Sequence, residues 1–336
     1  MSFPPSYILF FFTLMAGSFL SISSSSWMAA WIGLELNLLS FIPLIASSSS
    51  AYFSESALKY FLIQAVASTM IIMASSIQLF STPFYSFILL LSLIMKLGAA
   101  PFHFWFPQIM EGLTWGQAAI LLSIQKLAPM YLISFLSFNP QLTFILLLSS
   151  GLSSLMGALG GFNSLKLRKI LAYSSINHMS WMLLAISINE MLFFLYFMFY
   201  VLISFSSVFL FSLNQAHYFN DLFNFNSFKP IYFYLIPFSL FSLGGLPPFL
   251  GFIPKWILVQ TLIVNNMFIM LSILLFSTLI TLFFYIRLSI PFILMLLPSS
   301  SLTFKPLLPN MTNYMIFIII FLNFLSFFLP FPFLLL

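Results

Sequence analysis

Glu35, Lys96, Lys126 and His178 each fall near the middle of a long apolar run, and Lys255 lies just beyond a break in another. An acid or lysine at the centre of a membrane-spanning helix costs roughly 2.5–3.5 kcal/mol on insertion scales, so such residues turn toward a bundle interior or a wet cavity. Acid, lysine and histidine at similar depth form a set in which each member binds and releases one proton, with burial and neighbouring charge deciding which state is held. That is the chemistry of a proton relay. The plainer alternative is that each polar group only ties its helix to a neighbour, and five at one depth weigh against it. Lys59 begins its span, so its long stem can either snorkel to the interface or join the row. Glu55, four residues earlier, reads as a surface partner for it. Glu111, Glu190 and Asp221 fall at span ends or in loops and are expected to be solvated. His217 has no second histidine or cysteine at ligand spacing, so no metal site is expected there.

Two stretches near these residues break their helices. In Lys96-Leu97-Gly98-Ala99-Ala100-Pro101-Phe102-His103 the proline removes a donor and crowds the preceding turn, which frees backbone carbonyls at membrane depth. The stretch from Gly244 to Lys255 repeats the device with Gly245, Pro247, Pro248 and Gly251. Simple proline kinks are tolerated in membrane helices. Interrupted helices at corresponding places in two halves are instead the sequence sign of an inverted-repeat transporter, and a lysine beside each break favours that reading.

The elements that must carry these residues are transmembrane helices. Of 336 residues, 62% are hydrophobic and 4% charged, whereas a soluble domain carries about a quarter charged. The apolar runs are about twenty residues long, enough to cross about 30 Å of hydrocarbon, and lack the apolar/polar alternation of a barrel strand. Spans are expected near 5–22, 27–45, 55–79, 84–107, 115–136, 141–161, 169–187, 190–213, 232–264, 268–290 and 314–334, with 84–107 and 232–264 discontinuous. The breaks lie five spans apart, which gives an all-α polytopic fold of two inverted five-helix repeats, 1–137 and 138–291, followed by a loop and a C-terminal helix in 292–336. Lys59, Lys166, Arg168, Lys169, Lys229, Arg287 and Lys305 all gather at or near alternate loops, which places the N-terminus on the negative, cytoplasm-like side and the C-terminus on the opposite one. The formal charge of +5 is too dispersed for a nucleic-acid face. Cysteine is absent, which excludes thiolate-held iron–sulfur clusters within the chain. The N-terminal Met1-Ser2-Phe3-Pro4-Pro5 has no basic leader pattern, so the first apolar run is expected to be a span.

The stretches Trp31–Asn37 (WIGLELN), Ser56–Phe61 (SALKYF), Lys96–Trp105 (KLGAAPFHFW), Gln125–Pro129 (QKLAP), Arg168–His178 (RKILAYSSINH) and Gly251–Trp256 (GFIPKW) together resemble the antiporter-like subunits of respiratory complex I, NADH:quinone oxidoreductase, over nearly the whole chain. The lack of three further N-terminal helices matches the animal mitochondrial form. The resemblance implies that Glu35 pairs with a lysine, with Lys59 the candidate, and tunes Lys96 at the first broken helix. Lys126 would pass the proton onward, His178 would bridge the repeats, and Lys255 would be the terminal lysine. It implies a cofactor-free chain in the mitochondrial inner membrane, with its N-terminus in the matrix. NADH, FMN, iron–sulfur clusters and ubiquinone would be used by other subunits. Partners would be those subunits and phospholipids, cardiolipin included, that fill the face opened by the shortened bundle; no nucleic acid is expected. One departure stands out: the family usually has an acid after Pro107, and this chain has Gln108, so Glu111 is the candidate to supply that charge. A stand-alone cation/proton antiporter and a non-pumping membrane scaffold remain open as rival readings.

Overall fold

A computed structural model of the chain describes residues 5–46, 51–78, 84–219, 221, 230–296 and 323. The described residues form helices α1 (Pro5–Ser23), α2 (Trp27–Ile45), α3 (Ala51–Gln78), α4 (Phe84–Leu97), α5 (Trp105–Gly112), α6 (Trp115–Leu122), α7 (Ile124–Leu136), α8 (Pro140–Phe162), α9 (Leu167–Ile188), α10 (Glu190–Leu213), α11 (Pro230–Gly244), α12 (Phe252–Val264) and α13 (Phe268–Leu296). Of these, α1, α2, α3, the α6–α7 pair, α8, α10 and α13 are long and apolar enough to cross a membrane, while α4, α11 and α12 are shorter apolar pieces. Both spans expected to be discontinuous are so, as α4 with α5 and as α11 with α12. The expected span 314–334 lies outside the described residues except for Asn323, and Lys229 and Lys305 lie outside them as well.

Local chemistry sets several boundaries. Ser26 caps α2 by accepting the Ala29 N–H at 3.3 Å, Asn189 caps α10 through Met191 N–H at 3.0 Å, and Thr114 with Gln117 forms a capping box before α6. Packing then follows the logic of a lipid solvent. With no hydrophobic drive between helices in hydrocarbon, close approach depends on small residues, and α8 accordingly buries Ser149, Ser150, Ser153, Ser154 and Gly157 while showing Phe144, Leu152 and Leu159 outward. The buried hydroxyls are satisfied by carbonyls of their own helix, as Ser154 Oγ is by the Gly151 carbonyl at 2.7 Å. Helix α9 is buried almost all round and packs on α5, α6, α7, α8, α10, α12 and α13. It is the axis about which the site is arranged.

The α1–α2 and α8–α9 pairs are built alike. A Cβ on Gly17 would lie 2.8 Å from Asn37 N and 2.9 Å from the Gly33 carbonyl; one on Gly157 would lie 2.7 Å from Asn177 N and 2.8 Å from the Tyr173 carbonyl. Each of these three correspondences spans 140 positions. The expected continuous span 115–136 is interrupted, since Ser123, with φ −113° and ψ −80°, separates α6 from α7.

Candidate functional site

The first break ends α4 at Gly98, whose φ of +71° is a conformation that L side chains rarely adopt. Gly98 N–H bonds the Ile94 carbonyl at 3.1 Å and Ala99 N–H bonds the same carbonyl at 3.3 Å, the double closure of a glycine-ended helix. Lys96, in the last turn of α4, is buried, and its backbone carbonyl accepts Gln64 Nε2–H at 3.1 Å. Lys96 and Lys126 both line a cavity of ≈ 20 Å³, shared with Asn37, Tyr60, Gln64 and Gln125, which is room for about one water. Glu35 approaches from α2. Its charge acts on Lys96 and on Tyr60, and its Oε2 is buried without a hydrogen-bond partner. The expected pairing of Glu35 with Lys59 does not occur. Lys59 Nζ is 2.6 Å from Glu55, a half-exposed pair one turn apart, because α3 begins at Ala51 and carries Lys59 toward the end of the bundle. Pro101 and buried His103 lie in the link between α4 and α5, where the His103 ring lies tilted against Phe104 with centroids 4.2 Å apart, outside the lining of the Lys96 cavity.

Lys126 sits three residues beyond the Ser123 break and is 2% exposed. Its Nζ donates to Tyr200 Oη at 3.2 Å and lies 5.0 Å from the ring centres of both Phe106 and Tyr200. The Phe106 ring, at about 0.5–2 kcal/mol, and the Tyr200 hydroxyl together offset part of the cost of burying the ammonium. The Tyr200 ring lies 5.2 Å from His178, and His178 Nδ1 is 2.9 Å from Tyr196 Oη. His178 also faces the Leu243 carbonyl and feels the charges of both Lys255 and Lys126. It therefore lies within electrostatic reach of both lysines.

The second break copies the first. Gly245 has φ +77°, its N–H bonds the Phe241 carbonyl at 3.0 Å, and Leu246 N–H bonds that carbonyl at 3.3 Å. Past the turn, Phe106 N–H bonds the His103 carbonyl and Ile253 N–H bonds the Leu250 carbonyl, so the correspondence holds through the start of α5 and α12. In this register, 147 positions apart, Gly98, Pro101, Phe102 and Pro107 meet Gly245, Pro248, Phe249 and Pro254, and Gln108 meets Lys255. Pro247 and Pro248 lie in the turn. A Cβ on Gly251 would collide with the Ser242 carbonyl, so the turn folds back tightly onto α11. Asn323 completes this corner, its Oδ1 accepting from Ser242 Oγ at 2.8 Å. Buried Lys255 donates to the Gly244 carbonyl at 2.8 Å.

The family described as NADH:quinone oxidoreductase/Mrp antiporter, transmembrane, matches residues 24–281. The chain belongs to that family. It is 45% identical over 328 residues to NADH-ubiquinone oxidoreductase chain 2 of Anopheles gambiae, covering 95% of this chain and 94% of the relative. It is 38% identical over 296 residues to the protein of the same name from Locusta migratoria, covering 86% of each. A chain of respiratory complex I from Thermus thermophilus with bound Aureothin superposes with a TM-score of 0.78 at 24% identity, over 86% of this chain and 71% of that one, a likeness of fold.

This NADH:quinone oxidoreductase/Mrp antiporter family chain has a further polar feature that its sequence did not announce. At one end of the bundle a cleft of ≈ 1020 Å³ is lined by Glu55, Lys59, Gln108, Glu111, Lys166, Arg168 and His217 among others. Glu111 is paired with Lys166 and, at 2.7 Å, with Lys169, so it is not the solvated charge expected from its position. It lines the same cleft as Gln108, which Glu55 also lines. Arg168 lies 5.8 Å from the Trp115 ring and its Nη2 is 3.1 Å from His217 Nδ1. The cleft gathers Lys59, Lys166 and Arg168 at one end, as the loop charges required. No group of three or more potential metal ligands occurs among the described residues.

Proposed function

We propose that the chain is a proton-translocating, antiporter-like subunit of the membrane arm of respiratory NADH:ubiquinone oxidoreductase. Its work is driven by NADH oxidation and ubiquinone reduction in other subunits. The observation that carries this reading is the polar series inside the bundle. It runs from Glu35 to Lys96, through the shared cavity to Lys126, across Tyr200 to His178, and through the Leu243 and Gly244 carbonyls to Lys255. No member needs to face lipid. Glu35 would bias Lys96 electrostatically, and a proton gained or lost at one lysine would change the energy of the charge on the next.

The matching helix closures at Gly98 and Gly245, and the matching glycine contacts of α1–α2 and α8–α9, support a division into two inverted repeats, 1–137 and 138–291. Gathering of the loop cations at one end of the bundle supports a multi-pass placement in the mitochondrial inner membrane with the N-terminus in the matrix and the C-terminus in the intermembrane space. Partners are the other subunits of the complex together with phospholipids, cardiolipin among them. The chain holds no redox cofactor of its own; NADH, FMN, iron–sulfur clusters and ubiquinone belong to its partners.

The test uses Lys96→Met and Glu35→Gln in the assembled complex reconstituted into vesicles. Proton uptake and coupled NADH oxidation should both fall while the amount of complex is unchanged. Normal pumping by correctly assembled variants would sink the relay, and loss of assembly alone would mark a scaffold. Purification as a small homo-oligomer would favour a stand-alone cation/proton antiporter.

A further inference from the structure

Gln125 and Lys126 are neighbours in sequence, yet they bond tyrosines from opposite halves of the molecule. Tyr60 Oη donates to Gln125 Oε1 at 3.2 Å, and Lys126 Nζ donates to Tyr200 Oη at 3.2 Å. The two tyrosines, on α3 and α10, are 140 positions apart, the same separation that relates Gly17 to Gly157 and Asn37 to Asn177. In that register Glu35 corresponds to Ser175, and the tyrosines keep matching company, because Glu35 acts on Tyr60 and Ser175 interacts with Tyr200. Gln125 Nε2 further donates to Asn37 Oδ1 at 2.8 Å, two residues from Glu35 on α2. Asn177 is held in a related way by Ser277 Oγ at 3.1 Å.

Successive residues on a helix point about 100° apart, which lets one position of α7 address the first half and the next address the second. The interruption at Ser123 frees this short segment from the register of α6. Ser123 takes its place by donating its Oγ–H to the Ala119 carbonyl at 2.6 Å, and Lys126 N–H bonds the Ser123 carbonyl at 3.1 Å.

We infer that Tyr60 and Tyr200 are paired positioning residues that hold the Gln125–Lys126 segment between the two halves. Tyr60 ties the segment to the surroundings of Glu35, and Tyr200 fixes the Lys126 ammonium against the ring that faces His178. A change in charge at Glu35 then alters the placement of Lys126 through Tyr60 and Gln125, as well as through space. The inference rests on the relay proposed above.

Tyr60→Phe and Tyr200→Phe each remove one hydroxyl and keep the ring. They are compared with Lys126→Gln and Glu35→Gln, singly and in pairs, in reconstituted complex, with rates expressed per assembled enzyme by NADH oxidation with an artificial acceptor. The expected result is a coupled rate and proton-per-electron ratio lowered about two- to tenfold by Y200F, with an altered pH profile. The Y200F/K126Q pair should be no worse than K126Q, and the Y60F/E35Q pair no worse than E35Q, as coupled sites require. If Y200F assembles poorly, Y60F, which touches the other half, carries the same cycle. Normal pumping and pH profile in both tyrosine variants, or additive losses in the pairs, would overturn the inference. Normal pumping by K126Q would instead refute the relay beneath it.

Discussion

Lys255 reaches back to donate to the carbonyl of Gly244, 2.8 Å away, and so closes the helix break it follows. The end of α11 is the negative end of a helix dipole, and an ammonium there is favourably placed. The first break is served differently. Trp105 Nε1 donates to the Met95 carbonyl at 3.2 Å and Gln64 Nε2 to the Lys96 carbonyl at 3.1 Å. Neutral donors satisfy those carbonyls, and the Lys96 ammonium is left to the cavity it shares with Lys126. The two lysines beside broken helices thus differ in duty: one also holds backbone, the other does not.

Lys255→Met and Lys96→Met should therefore fail in different ways. Removing Lys255 strips the Gly244 carbonyl of its donor inside the bundle, a loss of about 1–3 kcal/mol. Less assembled complex on native gels is expected together with lost pumping. Lys96→Met should lose pumping at near-normal assembly. Equal amounts of assembled complex in both variants would contradict the structural duty given to Lys255.

Gly245→Ala should be damaging where Gly116→Ala is neutral. Alanine at φ +77° costs about 1–2 kcal/mol, and its Cβ would come within 2.9 Å of Lys255 Cδ and Nζ. The flexible lysine can retreat, but only by leaving the Gly244 carbonyl. No atom lies within 4 Å of a Cβ at Gly116. Coupled NADH oxidation in the two variants checks the contrast, and a normal G245A enzyme would show that the turn is slack.

The two long breaks were legible because glycine and proline cluster at each, and a lysine beside each drew attention to them. The Ser123 break was not. Its nearest sequence signal is Pro129, which denies the Gln125 carbonyl a helical donor. Pro43 in α2, Pro237 in α11 and Pro291 in α13 also lie inside helices, so a lone proline does not say which helix will break. Lys96, Lys126, His178 and Lys255 stood out as ionisable groups in or beside apolar runs, and all four are buried. Lys59 pairs with Glu55, the partner that their i,i+4 spacing suggests, and not with Glu35, the partner that the resemblance implies. The tyrosines were illegible, because Tyr60 and Tyr200 blend into a chain that is 20% aromatic. Only their shared register with the backbone contacts sets them apart.

Glu111→Gln should weaken the joint between α5 and α9 without touching proton transfer. The carboxylate on α5 bridges Lys166 and Lys169 at the start of α9, and all three side chains remain about a third exposed. Pairs of this kind are worth about 0–1 kcal/mol after screening, so thermal inactivation of detergent-solubilised complex should accelerate by less than about fivefold at low salt. The difference should shrink at 1 M salt, where charges are screened within about 3 Å. Proton pumping at moderate temperature should be unchanged. A salt-independent loss would point to packing, and a pumping defect would place Glu111 on the route itself.

His217 should give the cleft a dependence on acid. Its partial burial, and next the charge of Arg168, hold its pKa below the ordinary histidine value, against a smaller opposing pull from Asp221. The neutral ring also suits the contact, since Nδ1 can accept the Arg168 Nη2 hydrogen at 3.1 Å only when unprotonated. A histidine whose folded pKa is depressed contributes its full stability above the unfolded value of about 6.5. That contribution is lost as pH falls below about 6.5 toward the folded pKa, because the unfolded chain then binds the proton more readily. The ring is exposed, so solvent limits the size of the effect. Solubilised complex should thus inactivate faster at pH 5.5 than at pH 7.5, and His217→Gln, which keeps an acceptor for Arg168 but cannot titrate, should reduce that difference. An H217Q enzyme with the same acid sensitivity as the parent would assign it to another group.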